Sequence, residues 1–70
     1  MKRYAVVIEK GAQSFSGYVP DLPGCVAAGD TLQQTEQLLR EAIELHLEGL
    51  AEDGMPIPDP SSVVDYVNVA

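Results

Sequence analysis

The chain has 70 residues, one cysteine and a formal net charge of −7. A lone cysteine excludes an intramolecular disulfide, and no apolar run approaches the roughly 20 residues of a membrane span. So acidic a chain argues against direct nucleic-acid binding, which depends on Lys and Arg contacts to phosphate. We expect a single domain over residues 1–70, located in the cytoplasm because no secretory signal opens the sequence.

The charge is unevenly distributed along the chain. Residues 1–24 carry a net charge of +1, whereas residues 25–70 carry a net charge of −8. This asymmetry favours a basic partner, although acidity can also serve only to keep a small protein soluble.

Three short strands are predicted in the first half of the chain. Residues 2–9 have apolar side chains on both faces of a strand, which indicates a central position in a sheet. Gly11 and its neighbours are typical of a hairpin loop, and residues 14–19 alternate as a second strand. Residues 25–28, which are small and apolar, form the third.

The stretch from residue 19 to residue 31 organises the chain. Pro23 and Gly24 suit the central positions of a type II turn, since proline presets φ at the first and glycine accepts positive φ at the second. Gly29 marks a break, and Asp30 or Thr31 can cap a helix that follows. The sequence therefore predicts a reversal, a short strand and a helix start.

A helix is predicted from residue 32 to about residue 53, because this stretch lacks proline and has no glycine before Gly49. Its apolar residues fill an arc wider than one sheet can cover. The surplus is expected at the Leu38–Ala42–Leu45 edge or at Ile43 and Leu47. It should contact a second copy or another protein, which predicts a homodimer or a larger homo-oligomer.

The opposite side of this helix is acidic. It carries four glutamates at helical spacing, Glu41, Glu44, Glu48 and Glu52. Neighbouring glutamates four residues apart repel each other by about 0.2 to 0.5 kcal/mol per pair. Acidic side chains near the C-terminal end of a helix also interact unfavourably with the helix dipole. The stripe therefore destabilises the isolated domain slightly, which is compatible with a role in binding.

The helix is expected to stop at Gly54. Every second residue from Pro56 to Pro60 is proline, so this stretch should be a stiff extended strap. A strap that returns the chain from the helix to the sheet is favoured over a ligand for an SH3-type domain. Residues 63–69 are then predicted to form the last strand.

The sequence offers no catalytic, metal or cofactor motif. His46 and Cys25 are unique in the chain and lack the spacing of metal ligands. His46 lies on the apolar helix face, and Cys25 has no basic neighbour that would lower its pKa. We interpret both as structural residues and expect no enzyme, although a residual nuclease is a remote alternative.

Several motifs follow one another in a fixed order along the chain. They are Tyr18-Val19-Pro20-Asp21-Leu22-Pro23-Gly24-Cys25, Gly29-Asp30-Thr31, Glu41-Ala42-Ile43 and the proline-rich stretch from Gly54 to Pro60. Together they resemble the HicB-like antitoxin family of bacterial and archaeal toxin–antitoxin pairs. The resemblance implies an α+β fold of order β-β-β-α-β, an antiparallel meander with the long helix on one sheet face, described as partly degraded RNase H-like. It also implies binding to a HicA-like toxin, a small basic RNA-cleaving protein.

Two departures from the family limit what the resemblance implies. The sequence ends at Ala70, without room for the C-terminal DNA-binding module of many relatives, so DNA binding is not expected. In addition, Gln33-Gln34-Thr35 stands where the family usually has acidic residues and alanine.

We therefore expect an antitoxin-like protein that neutralises a HicA-type toxin, with no cofactor and no metal. The alternative is a solitary homo-oligomeric protein-binding domain without a cognate toxin. The candidate partner-binding residues are Glu41, Glu44, Glu48, Glu52 and, as a second choice, Asp21. The candidate structural residues of the turn and cap are Pro23, Gly24, Gly29, Asp30 and Thr31.

Overall fold

The computed structural model describes residues 2–70 and has an α+β architecture. The elements follow one another as β1 (Val7–Lys10), β2 (Phe15–Tyr18), β3 (Val26–Gly29) and α1 (Leu32–Glu52). The strands form an antiparallel sheet in the order β1-β2-β3. Three strands followed by one long helix are as predicted, whereas the RNase H-like relationship stays a prediction.

The central strand β2 fixes the register of the sheet. Gly17 lies opposite Ile8 of β1 on one side and opposite Ala27 of β3 on the other. The first hairpin is closed by a hydrogen bond from the Gly11 amide to the Ser14 carbonyl at 2.7 Å. The predicted hairpin loop is therefore confirmed.

The predicted turn before β3 is confirmed at Gly24. This residue has a φ of +86°, a value that glycine adopts without the penalty paid by other residues. The Cys25 amide donates to the Leu22 carbonyl at 3.1 Å, which closes the turn around Pro23 and Gly24. The Val19 amide donates to the Cys25 carbonyl at the same distance, so the two arms of the reversal are tied together.

Helix α1 begins at a cap formed by Thr31. The Thr31 hydroxyl oxygen accepts a hydrogen bond from the backbone amide of Gln34 at 3.0 Å. The Gln34 side-chain oxygen in turn accepts from the Asp30 amide at 2.6 Å. These reciprocal bonds resemble a capping box, which satisfies N–H groups that the helix leaves unpaired. Of the two predicted candidates, Thr31 is the cap.

Helix α1 ends at Glu52, and Gly54, two residues beyond, is the stop that the sequence predicts. Gly54 has a φ of +68°, its amide donates to the Ala51 carbonyl at 3.2 Å, and the Met55 amide donates to the Leu50 carbonyl at 2.9 Å. This pair of bonds is the Schellman arrangement. It turns the chain out of the helix and into the proline-rich strap.

The core lies between α1 and the sheet, where the helix packs on β2 and β3. Its buried hydrophobic residues are Val19, Leu22, Cys25 and Leu39. The helix approaches β2 closely at Gly17, where a Cβ atom would lie 2.7 Å from Leu39 Cδ1. At Gly29 a Cβ would lie 2.9 Å from the hydroxyl of buried Thr35, so this glycine also permits close packing.

Two predictions about strands are wrong. The first strand is at an edge of the sheet and begins at Val7, so residues 2–6 precede it rather than form part of a central strand. The last strand predicted at residues 63–69 is not formed. The edge position of β1 and the absence of the last strand go together, because no main-chain partner lies beside β1 on its outer side within residues 2–70.

The strap returns the chain to the sheet, as expected, and is anchored by side chains. Lys2 forms an ion pair with Asp59. The Tyr4 hydroxyl donates to the Pro58 carbonyl at 2.5 Å. Asp21 binds Ser61 and Ser62. These contacts fix the strap up to residue 62 beside the start of β1.

Candidate functional site

The predicted glutamate stripe forms one continuous surface on α1. We call Glu41, Glu44, Glu48 and Glu52 the acidic face, and all four side chains are exposed. At 3.6 residues per turn they fall within an arc of about 80°, on the side of the helix opposite buried Leu39. The structure therefore brings these predicted residues together and directs them to solvent.

No carboxylate of the acidic face forms an ion pair within the described chain. The ion pair between Lys2 and Asp59 is the only one among residues 2–70. Glu41 accepts a hydrogen bond from the Gln37 amide group at 3.1 Å, which leaves its charge in place. Four carboxylates on one side of a helix create a local negative potential that attracts a cationic partner.

Two exposed leucines lie directly beside the acidic face. Leu45 retains 69% of its accessible surface and Leu38 retains 36%. In contrast, Ile43 and Leu47 pack against the core, and so does Ala42, the middle residue of the predicted Leu38–Ala42–Leu45 edge. Of the two helix edges predicted to carry surplus apolar surface, the structure therefore exposes the one with Leu38 and Leu45. The candidate interface thus combines a charged surface with apolar side chains.

Asp21 lies apart from the acidic face and holds the strap. Its Oδ2 accepts from the Ser61 and Ser62 amides at 2.9 and 3.0 Å, and its Oδ1 accepts from the two hydroxyls at 3.1 and 2.8 Å. These bonds, chiefly those from the two amides, lower the pKa of Asp21 to about 2. Its suggested role in partner binding stays a prediction, whereas its structural role is visible.

The remaining predicted residues shape the backbone. Pro23 and Gly24 form the turn, while Asp30 and Thr31 lie at the start of α1. Gly29 ends β3 under the first helical turn. They support the position of α1 on the sheet, and through it the orientation of the acidic face.

Cys25 is a buried free thiol whose pKa is raised by desolvation. Within residues 2–70, no group of three or more His, Cys, Asp or Glu side chains converges in a way that could hold a metal ion. The same part of the chain contains no helix that is long and apolar enough to cross a membrane.

Sequence reasoning missed the serines that bind Asp21 and the role of Gln34 in the cap. Gln34 could have been found, since Thr31-x-x-Gln34 matches the spacing of a capping box. Ser61 and Ser62 lie 40 and 41 residues from Asp21. No local pattern in the sequence indicates such a distant contact.

The fold and the acidic face together define a small α+β domain with a negatively charged helix surface. Comparison with known proteins specifies the family. Residues 4–70 match the family model described as HicB-like antitoxin of bacterial toxin–antitoxin system. The chain belongs to this HicB-like antitoxin family, and the resemblance seen in its motifs is confirmed.

Curated relatives match nearly the whole chain. An uncharacterised 14.9 kDa protein of Haemophilus phage HP1 is 40% identical over 65 residues, which are 93% of this chain and 49% of the phage protein. A UPF0150 protein of Synechocystis is 33% identical over 94% of this chain and 85% of its own length. The chain thus spans about half of the phage protein and most of the cyanobacterial one.

A solved structure supports the same assignment. A chain of the HicA3 and HicB3 toxin–antitoxin complex superposes with a TM-score of 0.70 and 37% sequence identity. The match covers 84% of this chain and 70% of the other. Toxin–antitoxin association is therefore described for a protein with a similar sequence and a similar fold.

Proposed function

We propose that this domain is an antitoxin that binds and neutralises a small basic RNA-cleaving toxin of the HicA type. The observation that carries the proposal is the acidic face, a solvent-directed row of glutamates that form no ion pair among residues 2–70. Membership of the HicB-like family and the likeness to a chain of a HicA3–HicB3 complex support it. The proposed activity is inhibition by binding rather than catalysis.

The chemistry of the acidic face suits a cationic RNA-binding surface. A toxin that cleaves RNA must attract phosphates with Lys and Arg. Carboxylates at helical spacing can pair with the same cations and thereby prevent RNA from reaching them. Toxin binding would also relieve the repulsion between Glu44 and Glu48, which are four residues apart.

The exposed leucines contribute in a different way. Charges at the edge of an interface mainly set the association rate and its salt dependence, whereas buried apolar contacts mainly set the dissociation rate. Leu45, with Leu38 about two turns away, is the side chain that can supply such a contact beside the glutamates. The proposal therefore separates two kinetic roles on one helix surface.

Binding kinetics across a salt series test this proposal. The probe is a purified HicA-type protein, immobilised and exposed to the domain between 50 and 500 mM salt, a range chosen to vary Debye screening. In Glu44→Gln/Glu48→Gln we expect slower association, by about tenfold at low salt, and a flatter salt dependence. In Leu45→Ala we expect faster dissociation with little change in association.

The control variant is Glu9→Gln/Glu36→Gln, which also removes two negative charges but from exposed positions outside the acidic face. It should retain most of the association rate of the parent. If the control and Glu44→Gln/Glu48→Gln slow association equally, net charge rather than the acidic face attracts the toxin. If neither changes the rate, the toxin binds another surface.

A further inference from the structure

Two stretches of this chain have strand-like sequences but no main-chain partner. Residues 63–69, which we call the valine-rich segment, contain four valines and one tyrosine, residue types that favour strands. Within the described chain, the segment makes no backbone–backbone hydrogen bond. Residues 2–6, the leading stretch of β1, make none either.

The valine-rich segment also buries little of its surface, and even Val64, its least exposed valine, retains 61% of its accessible surface. Val63, Val67 and Val69 retain 89, 82 and 87% of their accessible surface. The molecule is correspondingly elongated, with extents of 46 × 27 × 19 Å and a radius of gyration of 13.5 Å. A compact chain of this length has a radius of gyration of roughly 11 Å. Exposed valines on an extended, unpaired backbone require another surface to cover them.

The strap determines where the segment leaves the domain. The bonds of Tyr4 to Pro58 and of Asp21 to Ser61 and Ser62 hold the chain beside the start of β1. From there the segment forms one wall of a groove of about 390 Å³. The other wall is made by residues 5–8 together with Pro20. The groove therefore separates the unpaired segment from the outer edge of β1.

We propose that the valine-rich segment of a second copy of this chain fills this groove as a fourth strand paired with residues 2–9. The exchange is reciprocal, so the same contact is made twice about a two-fold axis, as in an isologous dimer. It joins the unpaired main-chain groups of the two stretches. It also gives β1 a neighbour on each side, which agrees with the apolar side chains on both of its faces.

The charges of the valine-rich segment and of the leading stretch of β1 are compatible with this pairing. The valine-rich segment carries one charged side chain, Asp65, and the leading stretch carries Lys2 and Arg3. Lys2 pairs with Asp59, while Arg3 forms no ion pair within residues 2–70. A segment of low charge with one carboxylate therefore meets an edge that offers a free guanidinium. The acidic face lies on α1, outside the groove, so this inference is independent of toxin binding.

Proline substitution tests the main-chain pairing in the full chain. Tyr66→Pro/Val67→Pro removes two successive amide donors, which point to opposite edges of a strand, so whichever edge pairs loses a bond. Both side chains are more than 80% exposed, so the fold of the single chain should be unaffected. Ala70→Pro, just beyond the segment, is the matched control.

Sedimentation at 10 to 200 µM is the readout. We expect twice the mass of one chain for the parent and for Ala70→Pro. Tyr66→Pro/Val67→Pro should have the mass of one chain and retain its helical circular dichroism. A folded parent that is monomeric throughout this range overturns the proposal, and so does a double variant that remains dimeric.

A second measurement uses the unmodified protein, so it decides the question even if the double variant unfolds. One copy is labelled with ¹⁵N and ²H and mixed with a ¹³C-labelled copy, and only contacts between copies are recorded by filtered NMR. Contacts between residues 63–69 and residues 2–9 of different copies support the exchange. Contacts between copies that are confined to the exposed helix leucines, or the absence of any contact between copies at residues 63–69, overturn it.

Discussion

Gly24 and Gly49 show that open space around a glycine does not decide whether it can be replaced. Neither position has a heavy atom within 4 Å of the site where a Cβ would stand. Gly24 has a positive φ, whereas Gly49 lies inside α1. A side chain at Gly24 therefore strains the backbone, and one at Gly49 favours the helix by reducing the freedom of the unfolded chain.

We predict opposite effects from the same substitution at these two residues. Gly24→Ala should lower the free energy of unfolding by about 1 kcal/mol or more. Gly49→Ala should raise it by about 0.5 to 1 kcal/mol. Urea denaturation of both variants measures the difference. Equal midpoints would contradict the assignment of a left-handed turn at Gly24.

The strap is the element whose position depends most on single side chains. It contains alternating prolines, which cannot form a regular ladder of main-chain hydrogen bonds, so the anchors at Lys2, Tyr4 and Asp21 hold it. Asp21 alone accepts four hydrogen bonds from Ser61 and Ser62. Its ionised form is therefore tied to the folded position of the strap.

The hydrogen bonds between ionised Asp21 and the strap predict that stability depends on pH. The pKa of Asp21 lies at about 2 in the folded protein, below its ordinary value of 3.8. A lowered pKa contributes stability above the ordinary value, and this contribution is lost as pH falls towards the folded pKa. The difference in the free energy of unfolding between the parent and Asp21→Asn should therefore have its full value at pH 5 to 7. It should decrease towards zero between about pH 4 and pH 2.

Urea denaturation of the parent and Asp21→Asn at pH 6, 4, 3 and 2 measures this closing difference. Asp59→Asn serves as the control, since the pKa of Asp59 is also lowered, by its hydrogen bond with Lys2. That variant should retain the Asp21 contribution. A stability gap for Asp21→Asn that stays constant from pH 6 to pH 2 would show that the carboxylate does not hold the strap.

The whole molecule carries a net charge of −7, and much of it lies on one helix. Glu48 has a glutamate four residues away on either side, Glu44 and Glu52, and it lies in the C-terminal half of α1, where the dipole disfavours anions. This repulsion is present in the folded domain, since none of these glutamates forms an ion pair among residues 2–70. A surface kept despite its effect on stability is consistent with the proposed binding role.

We accordingly predict that Glu48→Gln stabilises the free domain. Removing both like-charge pairs should raise the free energy of unfolding by about 0.4 to 1 kcal/mol at low salt. The gain should shrink at 1 M salt, where the Debye length is about 3 Å. Glu9→Gln, an exposed change on β1, is the control. A gain that is equal at low and high salt would rule out repulsion as its cause.

The sequence by itself determined the features set by neighbouring residues. The turn at Gly24, the helix stop at Gly54 and the acidic face were predicted in their observed places, and the cap was narrowed to Asp30 or Thr31, of which Thr31 is the one observed. Each depends on residues within four or five positions of one another, where side-chain chemistry directly limits φ and ψ or the helical face. The motifs of the family lie in the same local stretches.

Only the tertiary structure decided which distant segments meet. β1 and residues 63–69 have strand-like sequences, yet β1 is an edge strand and the valine-rich segment pairs with nothing within residues 2–70. Asp21 likewise finds its partners 40 residues away. A strand's propensity is encoded in its own residues, but its pairing depends on the partner that the rest of the fold, or a second chain, brings alongside it.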